Sequence, residues 1–103
     1  MSIAVAVISD IHGNVWALES VLQDIRRRGI DCIVNLGDSL YGPIEPYSTA
    51  KILMCEKIIS ISGNQDRIIL ESIGETNIHQ TMRYVLEDLD AQSVEWIKLD
   101  CQQ

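Results

Sequence analysis

Three apolar runs, each followed by a tight turn and a side chain that can bind a metal, organise this sequence. They cover residues 3–8, 30–35 and 57–62. Runs of this length that are rich in Val and Ile are typical of strands buried on both faces, as in a parallel sheet. We therefore predict three buried parallel strands with functional side chains at their carboxyl ends.

Helical periodicity fills the segments between these runs. An apolar stripe at helical spacing follows the first run and consists of Val15, Leu18, Val21 or Leu22, and Ile25. Asn14 is suited to cap the start of this helix, and Gly29 is suited to follow its end. A second helix is expected from Pro46 or Tyr47 to Glu56, since proline is favoured at the first helical position.

The last third of the chain is predicted to be helical. A short helix begins at residues 68–70 and ends at Gly74. A further apolar stripe consists of Ile78, Met82, Val85, Leu86 and Leu89. Residues 93–99 are expected to form a last short helix with Trp96 facing inward. The length of 103 residues predicts a single α/β domain over residues 1–103.

Charge and cysteine content limit the partners that we expect. The net charge of −7 argues against nucleic acid, which requires a basic surface. No apolar stretch approaches the ~20 residues needed to cross a membrane, and the N-terminus lacks the pattern of a signal peptide. Cys32 and Cys55 lie in apolar surroundings, so we interpret them as reduced core residues of a cytoplasmic protein.

The order β-α-β-α-β brings the three turns together. Right-handed crossovers place the carboxyl ends of parallel strands at one edge of the sheet, where open α/β sheets bind ligands. Asp10 and His12 can then face one ion. Asp38 can bridge that ion to a second one, to which Asn64 offers its carbonyl oxygen. We therefore predict a metal site at this edge.

The donor types in the turns point to metal chemistry because they occur together. Oxygen donors with one imidazole suit Mn²⁺, Mg²⁺, Fe, Ni²⁺ or Zn²⁺ without selecting among them. Two such ions about 3.5–4 Å apart form the clamp used for in-line attack on phosphorus. Each motif alone is more often an ordinary turn. Their occurrence at three successive strand ends favours a metal site.

Other polar residues have a simpler explanation beside a functional one. Arg67 could hold a substrate phosphate through its guanidinium, or be a surface residue at the start of a helix. Residues 26–28 (RRR) could bind phosphate, but a solvated helix end facing the negative pole of the dipole is the favoured interpretation. His79 is interpreted as a surface or core residue. Dinucleotide, P-loop and α/β-hydrolase signatures are absent from the sequence.

The three turns resemble the motifs of the calcineurin-like metallophosphoesterase family. Residues 10–14 read D-x-H-G-N, residues 37–42 read G-D-x-x-x-G, and residues 63–66 read G-N-Q-D where the family has G-N-H-D. The resemblance covers about residues 1–70. Within the family, the motifs look most like those of the small bacterial and archaeal phosphodiesterase branch.

The resemblance implies a fold, a cofactor and a reaction. The fold is a four-layer α-β-β-α sandwich, of which this chain would supply the parallel β-α-β-α-β half followed by C-terminal helices. The cofactor is a pair of divalent ions, often Mn²⁺, and the reaction is hydrolysis of phosphodiesters or phosphomonoesters by a metal-bridged hydroxide. Asp10 and His12 would ligate the first metal. Asp38, which bridges the ions, and Asn64, which ligates the second, would be the catalytic residues.

The sequence departs from the family pattern in two ways. Gln65 replaces a histidine, and glutamine can donate a hydrogen bond but cannot deliver a proton to the leaving group. The family's three later metal-binding histidines have no counterpart before Gln103, so we expect the N-terminal half of a metallophosphoesterase with an incomplete ligand set. Its partners would be a small phosphorylated substrate and, over the uncovered sheet, a second copy of the chain. The alternative is a non-catalytic protein-interaction module that kept the fold.

Overall fold

The computed structural model describes residues 4–101, with side chains described for residues 4–99. Within this range the chain forms three strands and five helices. In chain order these are β1 (Val5–Ile8), α1 (Val15–Arg27), β2 (Cys32–Asn35), α2 (Pro46–Cys55), β3 (Ile58–Ser60), α3 (Asn64–Ser72), α4 (Gln80–Asp88) and α5 (Ala91–Cys101). Ile3, with which we expected the first strand to begin, lies outside the described residues.

The strands form one parallel sheet in the order β1-β2-β3. Val7 pairs with Val34, and Val34 pairs in turn with Ile59. Because all three strands run in the same direction, their carboxyl ends lie at one edge. The predicted α/β topology is therefore confirmed.

Only one face of the sheet is covered by helices, which corrects the expectation that the strands are buried on both faces. Consecutive right-handed crossovers that advance in the same direction place their helices on the same side. Ala6 and Ile33 pack against the core on that side. On the other side, Val7 and Ile59 are each 60% exposed. The sheet thus has one packed face and one open apolar face.

The two cysteines that we expected in the core lie on the surface. Cys32 and Cys55 are free and exposed. Cys32 pairs in register with Val5, so it lies on the open face of the sheet, while Cys55 ends α2. The prediction was wrong because it relied on the apolar residues next to Cys32 in the sequence. Successive side chains of a strand point to opposite faces of the sheet, so Cys32 lies on the open face although Ile33 packs against the core.

The first two helices follow their sequence signals. The Asn14 side chain accepts a hydrogen bond from the Ala17 N–H at 3.1 Å and so caps α1 as predicted. Of the two candidates for the apolar stripe, Leu22 is buried and Val21 is exposed. Pro46 is the first residue of α2, as expected.

Two of the later helices, α3 and α5, begin earlier than predicted, whereas α4 begins at Gln80, after the Ile78 with which its apolar stripe was predicted to start. α3 starts at Asn64 rather than near residue 68, since its first turn is polar and gives no apolar signal. In α5, which starts at Ala91, the most deeply buried apolar residue is Ile97, at 1% exposure. Trp96 is half-buried at the margin of that core, so the inward position predicted for it is only partly correct.

The C-terminal helices are fastened to α2 by charged groups. The Lys51 ammonium lies 3.0 Å from the Asp90 carboxylate. Hydrogen bonds from the Ser93 hydroxyl and N–H, together with the bond to Lys51, lower the pKa of Asp90 to about 2. Among residues 4–101, no helix has the length and apolar character needed to span a membrane.

Candidate metal centre

The loop after β1 holds two non-glycine residues in left-handed backbone conformations. The φ angles of Asp10 and His12 are +56° and +50°. Such conformations are uncommon for all residues except glycine, although Asp and His adopt them more often than most, and they cost of order 1–3 kcal/mol where the surroundings impose them. The result is that the two side chains face each other, with His12 Nε2 3.6 Å from Asp10 Oδ1. The sequence-predicted pair is therefore brought together.

The His12 ring is oriented by a backbone carbonyl. Its Nδ1 lies 3.1 Å from the carbonyl oxygen of Tyr41, which can only accept a hydrogen bond. Nδ1 must therefore carry the proton, which leaves Nε2 of the neutral ring with a free lone pair. Metal-ligating histidines are fixed in the same way by a partner on their other nitrogen.

Backbone hydrogen bonds join the loop after β1 to the loop after β2. The N–H groups of Asp10 and His12 donate to the carbonyls of Gly37 and Asp38, both at 3.1 Å. Asp38 is a third non-glycine residue in the left-handed region, with φ of +57°. These bonds extend the parallel pairing of β1 and β2 beyond the strands and fix the predicted ligands relative to each other.

The loop after β3 packs against Asp38 so closely that only glycine fits at two positions. A Cβ atom on Gly37 would lie 2.3 Å from the backbone nitrogen of Gly63. A Cβ atom on Gly63 would lie 2.4 Å from Asp38 Oδ1. Both distances are shorter than any real contact between such atoms. The glycines that precede the predicted ligands therefore permit the contact between the two loops.

Asp66 connects these two loops and is the residue that sequence reasoning missed. Its side chain is 4% exposed. Its carboxylate accepts hydrogen bonds from the N–H groups of Asp38 at 2.9 Å, Ser39 at 3.1 Å and Gly63 at 2.9 Å. The bond from Gly63 is one half of a capping box, and an acidic residue three positions after a helix cap is the signal that could have identified it.

A second buried side chain, that of Asn35, supports the loop after β2. Its Nδ2 group donates to the hydroxyls of Ser39 at 2.8 Å and Ser60 at 3.3 Å. Its Oδ1 atom accepts from the Gly37 N–H at 3.2 Å. Asn35 therefore fixes the turn in which Asp38 lies. A polar residue at the end of an apolar strand was the available sequence signal.

The start of α3 is held by Asp38. Oδ1 of Asp38 accepts a hydrogen bond from the Gln65 N–H at 2.9 Å, so the carboxylate lies at the positive end of the helix. Asn64 is the first residue of α3 and its side chain is exposed. Arg67 ends the first turn and is also exposed, and no bond joins it to the other predicted site residues.

The donor set fits a divalent cation in part. Two ligands of one ion, each about 2.1 Å from it, are about 3.0–3.4 Å apart, close to the observed separation of His12 Nε2 and Asp10 Oδ1. Two acceptors that face each other in this way are stabilised by a cation or by a second proton on the ring. Within the part of the chain that the structure describes, no three His, Cys, Asp or Glu side chains converge on one point. The arrangement is thus a pair of facing ligand atoms, with the second carboxylate, that of Asp38, in the adjoining loop.

Comparisons with known proteins identify the family of the chain. A family model, described as the calcineurin-like phosphoesterase superfamily domain, matches residues 1–98. An uncharacterised protein of Methanocaldococcus jannaschii is 41% identical over 66 residues, which are 64% of this chain and 27% of the archaeal protein.

A solved structure is similar over almost the whole chain. The crystal structure of a metallophosphoesterase from Sphaerobacter thermophilus has a TM-score of 0.74 and 28% sequence identity, over 95% of this chain and 41% of that chain. This chain therefore spans less than half the length of either relative. The family match covers all three loops and nearly all of the sequence, and the chain belongs to the calcineurin-like phosphoesterase superfamily.

Proposed function

We propose that the chain carries metal ligands of a phosphoesterase that hydrolyses phosphodiesters or phosphomonoesters. The observation that supports this most is the strained backbone of the loops. Asp10, His12 and Asp38 all adopt left-handed conformations, and strain of this kind clusters at functional sites. The same loops hold the Asp10 carboxylate and the His12 imidazole at a separation that suits two ligands of one ion.

Each proposed ligand has a defined task. Asp10 and His12 would hold one divalent ion, and Asp38 and Asn64 would contribute oxygen ligands to a second. The ions, for which Mn²⁺ is our first choice, would supply Lewis acidity and activation of a water nucleophile. Asp66 keeps Asp38 in place, because its carboxylate accepts hydrogen bonds from the N–H groups of Asp38 in the loop after β2 and Gly63 in the loop after β3.

Gln65 and Arg67 are proposed to contact the phosphoryl group. The amide of Gln65 can donate a hydrogen bond to charge that develops on an equatorial oxygen, but it cannot protonate the leaving group. The site therefore favours substrates whose leaving group departs without a proton from the protein. Arg67, one turn into α3, is a candidate for a bidentate contact with the phosphate.

A second candidate function is a protein-interaction module without catalysis. The open apolar face of the sheet favours it, since contiguous exposed apolar surface marks interaction sites. The proposed occupant is a second copy of the chain.

The free thiols of Cys32 and Cys55 suit a reducing, cytoplasmic setting.

Hydrolysis of bis(4-nitrophenyl) phosphate with added Mn²⁺ tests the proposed function. The variant Asp38→Asn keeps an oxygen acceptor for the Gln65 N–H but loses the bridging charge. We expect its rate to fall at least about 10²-fold, because bound metal ions stabilise the transition state by several kcal/mol. Asp31→Asn is the matched control, since Asp31 is exposed and precedes β2 at the opposite edge of the sheet. Equal rates in the wild type and Asp38→Asn would refute the proposal.

A further inference from the structure

A pocket of about 260 Å³ opens beside the candidate metal centre. Tyr41 and Gln65 form the wall nearest the predicted ligands, and α3 and α4 contribute Ile68, His79 and Met82. Met82 is almost fully buried and forms part of the floor. The pocket therefore lies between the metal-site loops and the first turns of two helices.

The wall of this pocket is made by residues that orient the proposed metal ligands. The Tyr41 carbonyl accepts the bond from His12 Nδ1 at 3.1 Å. The Gln65 N–H donates to Asp38 Oδ1 at 2.9 Å. A phosphoryl group bound by the ligands would thus have its ester substituent next to this pocket.

The lining is mainly apolar, with Ile68, Ile78 and Met82 beside the polar side chains of Gln65, Ser72 and His79, and it carries no fixed positive charge. No Lys or Arg is among the described residues that line it. His79 accepts a hydrogen bond from the Thr81 N–H through Nδ1 at 3.1 Å, which places the proton of the neutral ring on Nε2. A second phosphate group in this pocket would be desolvated without a cationic partner. The chemistry therefore selects an uncharged occupant.

We propose that this pocket binds an uncharged aromatic or heteroaromatic ring, such as a phenyl group or a nucleobase, carried by the ester group of the substrate. The inference rests on the proposed function, whose substrate class it specifies. The side chains of Ile68 and Ile78 and the Met82 thioether suit the faces and edges of a flat ring. The amide of Gln65 and the imidazole of His79 are the polar groups available to a heteroaromatic edge. The volume is below the 300–1,000 Å³ typical of drug-sized ligands, so it fits a single ring system.

Binding of phenyl phosphate and methyl phosphate in the presence of Mg²⁺ tests this proposal without any need for turnover. The methyl groups of ¹³C-labelled methionine report the position of the ring, with the Met82 signal assigned through Met82→Leu. We expect phenyl phosphate to bind at least about tenfold more tightly than methyl phosphate and to shift the Met82 signal. The signal of Met54, which does not line the pocket, should stay in place.

A matched pair of variants separates the pocket from the rest of the surface. Ile68 lines the pocket and is 42% exposed, whereas Ile73 lies outside it and is 48% exposed. Ile68→Arg should abolish the preference for the phenyl ester, because the longer, charged side chain occupies the apolar space that the ring would fill. Ile73→Arg should leave the preference unchanged.

The outcomes distinguish this proposal from the proposed function. Ring preference with a shifted Met82 signal but no hydrolysis would support the pocket and refute the phosphoesterase activity. Hydrolysis with equal affinity for the two esters, or with an unshifted Met82 signal, would overturn the pocket alone. Failure of both esters to bind would also overturn it.

Discussion

The loops at the carboxyl edge of the sheet and the open face of the same sheet differ in whether their side chains have partners within the chain. In the loops, buried polar groups are paired, and Asp66 alone accepts three backbone N–H groups. On the open face, Val7 and Ile59 are each 60% exposed, and none of the helices in the described part of the chain packs over them. The two regions are built from the same three strands.

This difference indicates that contacts among the three loops are enough to position the candidate ligands. The positions of Asp10, His12 and Asp38 depend on backbone hydrogen bonds and close glycine contacts within the described residues. The open face instead exposes apolar surface whose burial would be favourable at about 25 cal/mol per Å². We therefore expect substitutions in the loops to act on folding and metal binding, and substitutions on the face to act on association.

The largest effect is expected from Gly37→Ala. A Cβ atom there would lie 2.3 Å from the Gly63 backbone, and φ is +105°. We expect the free energy of unfolding to fall by more than about 4 kcal/mol. Gly29→Ala is the control, because its φ is +71° but nothing lies within 4 Å of the added carbon; it should cost about 1–2 kcal/mol. Urea denaturation measures both, and equal losses would show that the loops are not tightly packed.

An intermediate effect is expected from Asp66→Asn. The amide replaces one oxygen with a donor that faces backbone N–H groups, which leaves a buried donor unsatisfied at a cost of about 1–3 kcal/mol. Asp24→Asn breaks only an exposed ion pair with Arg28 and should cost less than about 1 kcal/mol. Thermal or urea unfolding measures the difference. A loss no greater than that of Asp24→Asn would mean that Asp66 does not hold the loops.

The smallest effect on stability is expected on the open face. Val7→Thr combined with Ile59→Thr keeps residues that favour strands and should change the free energy of unfolding by less than about 1 kcal/mol. Sedimentation velocity over a range of concentrations should nevertheless show weaker self-association than in the wild type. Ile73→Thr, an exposed substitution outside the sheet, is the control. A wild type that stays monomeric throughout would exclude a second copy as the occupant.

Sequence reasoning reached the fold of this chain because the signals for its first half are local. Apolar runs, the cap at Asn14 and the proline at position 46 each act within one element. It placed the start of α3 too late, because the first turn of that helix is stabilised by Asp38 from another loop and not by its own apolar residues. Long-range capping of this kind leaves no periodic pattern.

Sequence reasoning predicted the pairing of Asp10 with His12 but not the residues that support the loops. Asp10 and His12 were identified from their position after a strand, and the structure brings them together. The roles of Asp66 and Asn35 depend on which backbone N–H groups the folded loops present to them. The exposure of Cys32 likewise depends on which face of the sheet the helices cover. Residue types could mark Asp66 and Asn35 as candidates, but their partners, like the exposure of Cys32, follow from tertiary structure.

Calorimetric titration with Mn²⁺ tests the central claim, that these loops bind a divalent ion, most directly. We compare the wild type with Asp10→Asn and with the control Asp31→Asn. The account predicts that the wild type and the control bind Mn²⁺ equally, while Asp10→Asn binds at least about tenfold more weakly, as expected for the loss of a ligand charge. Equal Mn²⁺ affinity in all three proteins would contradict it.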